Sequence, residues 1–314
     1  MNNRNIKFVF SILFSLALLV NITNGGVCYG FPIYAQQSYD NPREATGRIV
    51  CANCHLAQKP VKIETPQSVL PNSVFEARVE IPYNNKQRQV LGDGNTGPLN
   101  MGAIVILPEG FKLAPKSKVS EAIQTKNKGI YIQPYSKTHK NILVVGPIPS
   151  NTHQEITFPI IAPDPAQDKN THFLKYPIYV GGNRGRGQIY PSGEKSNNNI
   201  VVAKASGKVQ SIQPLDDNNL QIDIQDIKSN IITYSIPSNI ELTISEGDII
   251  DKDQALTTDP NIGGFGQSET EIVLQNPKRI QGMIVFFFIF TLAQIFFVLK
   301  KKQFEKVQAL EKNF

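Results

Sequence analysis

Cys51-Ala52-Asn53-Cys54-His55 brings two thiols and one imidazole into about one turn's length of chain. C-x-x-C-H is the spacing of covalent c-type haem attachment. The reason is geometric, because positions i, i+3 and i+4 of a helical turn share one face. Two thiols can then add to the vinyl groups of a single porphyrin while the imidazole of His55 reaches the iron. Other uses of these residues have less support in the surrounding sequence. A zinc site takes four nitrogen or sulfur ligands, and there is no second cysteine pair, only Cys28 near the start. A thioredoxin-like dithiol belongs in a βαβ context, and no such pattern surrounds Cys51.

An electron-transfer haem takes a second axial ligand, and no side chain stands out for that task. Met101 enters a strand-like run and reads as core filler. His139, His153 and His172 stand among polar neighbours and read as surface residues. The residues alone therefore leave two other readings open. One is an anchored haem enzyme or gas sensor with an open sixth iron site. The other is a thiol oxidoreductase working through Cys51 and Cys54.

The element expected to carry the motif is a helix. Asn41 suits an N-cap, Pro42 the first helical position, and Glu44 completes a capping box, which predicts a helix running towards Cys54. Around it the chain reads as β. Residues 74–81 alternate apolar and polar over much of their length. Runs at 104–107, 130–132, 142–145, 155–161 and 178–180 follow, separated by Pro, Gly and Asn. Strands at this spacing, with no helical pattern between them, predict an all-β fold built on a large antiparallel sandwich. Further strands are expected at 207–212, 220–224, 231–236 and 240–244. The turns around residues 246–250 and 254–256 resemble those of lipoyl- and biotinyl-type barrel-sandwich domains, without a modification site. The expected division is residues 31–198 with 262–276 as a large haem-bearing domain and 199–261 as a small β domain.

The two ends read as membrane signals. Arg4 and Lys7, the apolar run 8–20 and small residues at Cys28 and Gly30, the −3 and −1 places, describe a signal peptide, residues 1–30, cut after Gly30. A cut after Ala35 is the competing site. Residues 280–299 form an apolar stretch of about 30 Å as a helix, matching the hydrocarbon thickness. Lys300, Lys301 and Lys302 place the tail, 300–314, on the cytoplasm-like side. The ectodomain is then translocated. The net charge of +6 comes from these flanks, since residues 31–276 hold 23 bases and 24 acids. That distribution argues against nucleic-acid binding. Within the ectodomain, residues 31–198 carry +7 and residues 199–261 carry −6.

Three stretches resemble one known family over the whole chain. They are residues 31–37, residues 41–57 around the C-x-x-C-H motif, and Gly181-Gly182-Asn183-Arg184-Gly185-Arg186-Gly187-Gln188-Ile189-Tyr190-Pro191. They look like the cytochrome f family. The resemblance implies one haem c held by Cys51 and Cys54, with His55 and the mature N-terminal α-amino group as iron ligands. Here that nitrogen belongs to Phe31, where the family usually has Tyr, and Pro32 and Tyr34 would pack beside the haem. It also implies a buried chain of waters at Gln89, Asn183, Gln188 and Asn198. The implied role is electron transfer from the Rieske iron–sulfur protein of the cytochrome b6-f complex, with cytochrome b6, subunit IV and small subunits as neighbours. The acceptor would be plastocyanin or cytochrome c6, in the lumen of a plastid thylakoid, or a cyanobacterial one as second choice. No Ser/Arg-rich transit segment precedes the signal, which is expected of a plastid-encoded or cyanobacterial chain. Arg88 is kept, but Asn95 and Thr96 stand where plant members carry a lysine pair, so steering of an acidic plastocyanin is expected to be weak or reversed.

Overall fold

A computed structural model of the chain describes residues 32–149, 155–216 and 218–312. The expected signal peptide, Phe31 and His153 lie outside the described residues. In chain order the elements are α1 (Pro32–Ser38), β1 (Lys62–Glu64), β2 (Ser68–Val69), β3 (Val74–Glu80), β4 (Arg88–Val90), β5 (Thr96–Pro98), β6 (Asn100–Ile106), β7 (Lys112–Leu113), α2 (Glu121–Lys126), β8 (Ile132–Pro134), β9 (Ile142–Pro149), β10 (Glu155–Ile161), β11 (Lys175–Arg184), β12 (Gly207–Asp216), β13 (Asn219–Asp226), β14 (Ile231–Pro237), β15 (Ile249–Ile250), β16 (Gly264–Leu274) and α3 (Pro277–Glu311).

Alternation becomes a sandwich most plainly in β3, where Phe75, Ala77 and Val79 turn inward between half-buried neighbours. A four-stranded sheet, β1-β3-β10-β7, shares one core with a six-stranded sheet, β2-β16-β11-β6-β9-β8. Val105, Leu143 and Val180 fill that core from the second sheet, opposite Phe75, Val79 and Phe158. The larger sheet is buried on its other face too. There Ile104, Ile142 and Val144 pack with Ile49, Tyr135 and Phe265. This explains why β6 is a continuous buried run rather than an alternating one. The second face is covered by the segment that carries the C-x-x-C-H motif.

Strands β11 and β16 pair antiparallel from Lys175↔Val273 to Arg184↔Gly264. The chain between them forms a separate sheet, β14-β13-β12-β15, over its own core of Val209, Ile222, Ile224, Tyr234, Ile236 and Ile250. Val90, from the β4–β5 hairpin, joins that second core.

The strand expected at 130–132 is shifted to Ile132–Pro134, and two other expected elements are missing. Residues 240–244 are not a strand; Leu242 makes only an isolated bridge with Thr257. Ile240 and Ile244 are buried as loop side chains of the small core, so their alternation records burial without a ladder. The helix expected from Asn41 is also absent. The Asn41 side chain instead accepts from the amide of Arg43 at 3.0 Å, and the amide of Glu44 donates to the carbonyl of Arg48 at 2.8 Å. Gly47, at φ 87°, turns the chain back so that Arg43 bridges Ile49. A good cap residue thus closes a turn, because a left-handed glycine follows before a helix could propagate.

At the far end, Asn276 caps α3 by accepting from the amides of Lys278 and Arg279, with Pro277 at the first turn. The helix has 35 residues, about 52 Å, so it continues past the apolar stretch. Among the described residues it is the one helix long and apolar enough to cross a membrane. It anchors an otherwise mostly β chain.

Candidate haem site

The motif folds as one tight turn, a 3-10 helix at Val50–Asn53. The amides of Cys54 and His55 both donate to the carbonyl of Cys51, at 3.2 and 3.0 Å. The expected one-face arrangement therefore survives in a single turn, without the longer helix.

Cys51, Cys54 and His55 line an open cleft of about 240 Å³ together with Pro32, Tyr34 and Asn183. Its floor is the second face of the six-stranded sheet, including Ile104, Val144 and Phe265. Gly181 keeps that floor flat, since a Cβ there would fall 2.7 Å from Cζ of Phe265. Pro32 and Tyr34 arrive on α1, a seven-residue helix that the sequence reading did not foresee. Helices this short do not persist alone. Tyr135 holds it, with a hydroxyl 2.6 Å from the carbonyl oxygens of both Ala35 and Tyr39. Gln36 Nε2 donates back to the Tyr135 carbonyl at 2.6 Å.

Burial sets the protonation of the site. It lowers the His55 pKa to about 4, so the imidazole is neutral at pH 7 and has a lone pair to give. One ring nitrogen, Nε2, lies 3.4 Å from the Asn183 amide nitrogen, and the other, Nδ1, is buried with no partner among the described residues. Burial also raises the Cys51 thiol to about 12 and raises Cys54. Thiols so poor at ionising suit a redox dithiol badly, because the thiolate is the reacting species. A neutral, half-partnered imidazole beside two protonated thiols in an apolar cleft fits a thioether-linked haem.

Asn183 faces this cleft, but the other three residues of the expected water chain gather on a different point, the Arg186 peptide. Gln89 Oε1 accepts from the Arg186 amide at 2.7 Å. Gln188 Nε2 and Asn198 Nδ2 donate to its carbonyl at 3.2 and 3.0 Å. Gln188 Oε1 also accepts from the amide of Leu56 at 2.9 Å, which pins the chain directly after His55. The Asn198 side-chain oxygen is buried with no partner among the described residues. Met101 is buried in the sandwich core, and neither it, His139 nor His172 lines the cleft.

Sequence reasoning missed three supporting residues: Tyr135, Arg184 and Arg186. Arg186 is buried yet satisfied by neutral acceptors: the Val90 carbonyl at 2.8 Å, Asn197 Oδ1 at 2.6 Å and the Tyr190 hydroxyl at 3.1 Å. Arg184 donates to the Pro60 carbonyl, and burial lowers its pKa to about 10, leaving it charged at neutral pH. A signal for both was present. Two arginines interleaved with glycines in residues 181–187 mark long polar side chains threaded where the backbone packs closely.

Residues 31–185 match the family model "Apocytochrome F, N-terminal", and residues 197–314 match "Apocytochrome F, C-terminal". Cytochrome f of Porphyra purpurea is 60% identical over 318 residues, covering 99% of this chain and 99% of the relative. Cytochrome f of Emiliania huxleyi is 57% identical, covering 98% of this chain and 99% of the relative. That of Chlorokybus atmophyticus is also 57% identical, with 98% and 96% covered. With both family models matched and relatives this similar along their full length, the chain belongs to the cytochrome f family.

Proposed function

We propose that the chain is the haem-bearing electron carrier of a cytochrome b6-f complex, alongside cytochrome b6, subunit IV, the Rieske iron–sulfur protein and small subunits. The observation that carries this reading is the convergence of Cys51, Cys54, His55, Pro32 and Tyr34 on one cleft. Cys51 and Cys54 would tether a haem c by thioether bonds, and His55 would ligate its iron. The α-amino nitrogen of Phe31, freed by a cut after Gly30, would be the second axial ligand, with Pro32 and Tyr34 packed against the ring. Two facts support that ligand. Pro32 and Tyr34, next along the chain, line the cleft beside Cys51, Cys54 and His55, and the N-terminal family match begins at residue 31. An α-amino group has a pKa near 8, so it loses its proton cheaply at neutral pH. An uncut chain has an amide there instead, which couples processing to assembly.

Bound there, a haem c supplies a one-electron iron couple. The chain's part is to keep the cleft apolar, hold His55 neutral and fix both ends of the ligand set through Gln188 and Tyr135. Electrons would arrive from the Rieske protein and leave to plastocyanin or cytochrome c6 in the thylakoid lumen of a plastid. Carrying electrons changes no bond of a substrate, so the chain acts as a carrier subunit rather than an enzyme. Gln89, Asn183, Gln188 and Asn198 would line buried waters, since amides donate and accept without titrating. The unpartnered oxygen of Asn198 supports this. Residues 31–198 with 262–276, and 199–261, would be the two domains, their opposite charges weakening or reversing the steering of an acidic plastocyanin.

Spectroscopy of the reduced purified protein tests the reading. A c-type pyridine haemochrome and no rapid reaction with carbon monoxide are expected. Rapid carbon monoxide binding with a large spectral change would favour the open-site enzyme or sensor, and a titratable dithiol without covalent haem would favour the oxidoreductase.

A further inference from the structure

Away from the cleft, three large apolar side chains stand at the surface where the sheet runs into the membrane helix. Leu70, Phe173 and Leu174 are 46%, 40% and 54% exposed. Backbone bonds tie Leu174, which follows Phe173, and Val69, which precedes Leu70, to the end of β16 and the residue after it. The amide of Leu274 donates to the carbonyl of Leu174 at 3.0 Å, and the amide of Gln275 donates to that of Val69, beside Leu70, at 2.8 Å. Strand β2 pairs in parallel with Val273 and Leu274, fixing the Leu70 turn to the same sheet end.

Only Gln275 and Asn276 separate that end from Pro277, the first residue of α3. Three Cα steps reach at most about 11 Å. The headgroup layer of one leaflet is about 5–7 Å deep, and Lys278 and Arg279 on the first turn of α3 suit that layer. The nearby charge does not oppose contact, because Lys175 at the start of β11 is paired with Glu271. Other exposed apolar residues, such as Ile249 in β15 and Ile227 in the turn after β13, belong to the small-sheet part of the chain, far in sequence from the membrane helix.

We propose that Leu70, Phe173 and Leu174 form an interfacial foot that seats the ectodomain in the lipid headgroup layer. The foot gives the ectodomain a second attachment besides α3. A two-residue linker ending in Pro277, with no glycine, then cannot swing freely, and the haem cleft is held at one height and orientation above the bilayer. Partner encounters would begin from that fixed pose.

The chain contains no Trp, so a single introduced indole reports its own surroundings. The experiment uses the haem-loaded full chain, reconstituted alone in phosphatidylcholine vesicles, as Leu70→Trp, Phe173→Trp and Leu174→Trp in turn. Tyr131→Trp is the reference; Tyr131 is 76% exposed and precedes β8, at the opposite edge of the six-stranded sheet from β2. The three foot variants should be quenched by lipids brominated near the headgroup and several-fold less by aqueous iodide than Tyr131→Trp. Iodide quenching equal to that of Tyr131→Trp, with no bromine quenching, would overturn the proposal. So would protection from iodide that appears only in the assembled complex and without bromine quenching, which would assign the patch to a protein partner.

Discussion

Replacing Tyr135 by Phe should loosen α1 while keeping the ring that lines the cleft. The helix has seven residues and none is fully buried, Ala35 alone packing against the core from a half-buried position, so propensity and core packing hold it weakly. The Tyr135 hydroxyl, 2.6 Å from two carbonyl oxygens, adds to this, as does the Gln36 bond to the Tyr135 carbonyl, which Phe retains. A hydroxyl has one hydrogen, so the change removes one full hydrogen bond, about 0.5–1.5 kcal/mol, and part of the satisfaction of a second carbonyl. A local loss of about 1–2 kcal/mol raises the open population of α1 about 5- to 30-fold. Hydrogen exchange on the haem-loaded protein reads this directly. Amides of residues 36–39, the ones bonded within α1, should exchange faster by that factor, while those of β3 and β10 should not change. If α1 holds the proposed axial amine in place, binding of added imidazole to the iron should strengthen by a similar factor. Unchanged exchange at residues 36–39 in a folded variant would refute the claim that Tyr135 is the clamp.

Gln188→Ala removes the bond to the Leu56 amide beside His55 and the bond to the Arg186 carbonyl; each lost hydrogen bond costs about 0.5–1.5 kcal/mol, so thermal unfolding should begin a few degrees lower. Gly102→Ala would put a Cβ 2.6 Å from Asn183 Oδ1, forcing that amide away from His55. Voltammetry should then show the potential moving in the same direction as in Asn183→Ala, and opposite shifts would contradict the link. Asp223 and Asp226 in the small sheet have lowered pKa values, Asp223 chiefly through Thr233 and Asp226 chiefly through Asn230. A depressed carboxylate pKa stabilises above the unfolded value and loses that contribution as pH falls through the folded one. Acid unfolding of the small sheet should therefore be shallower in Asp223→Asn and Asp226→Asn, as followed by exchange at β13 and β14 amides. Equal slopes would count against it.

Much of the fold was legible where local pattern and tertiary role agree. Residues 155–161 were expected as a strand and are β10, because an edge-to-core apolar run has one solution in a sandwich. The expected strand at 130–132 sits at Ile132–Pro134 instead, where pairing with β9 sets the register. Strand β16 was not singled out, since Gln267, Glu269 and Glu271 interrupt its apolar run; its partner β11, distant in sequence, makes it a strand. The helix from Asn41 failed because cap signals are local and Gly47 acts a few residues later. At the site, the structure brings Cys51, Cys54 and His55 to one cleft, as their spacing in the chain implies. Tyr135 was not legible, since its role depends on a backbone nearly a hundred residues away, which no local pattern records.

The central claim is that one chain supplies both the haem tether and, through its own processed end, the second axial nitrogen. Mass spectrometry of the purified mature chain tests both halves together. The account predicts a free α-amino group on Phe31 and a haem on the peptide that spans Cys51 and Cys54. A mature chain beginning at Gln36, or one with both cysteines unmodified, would contradict it.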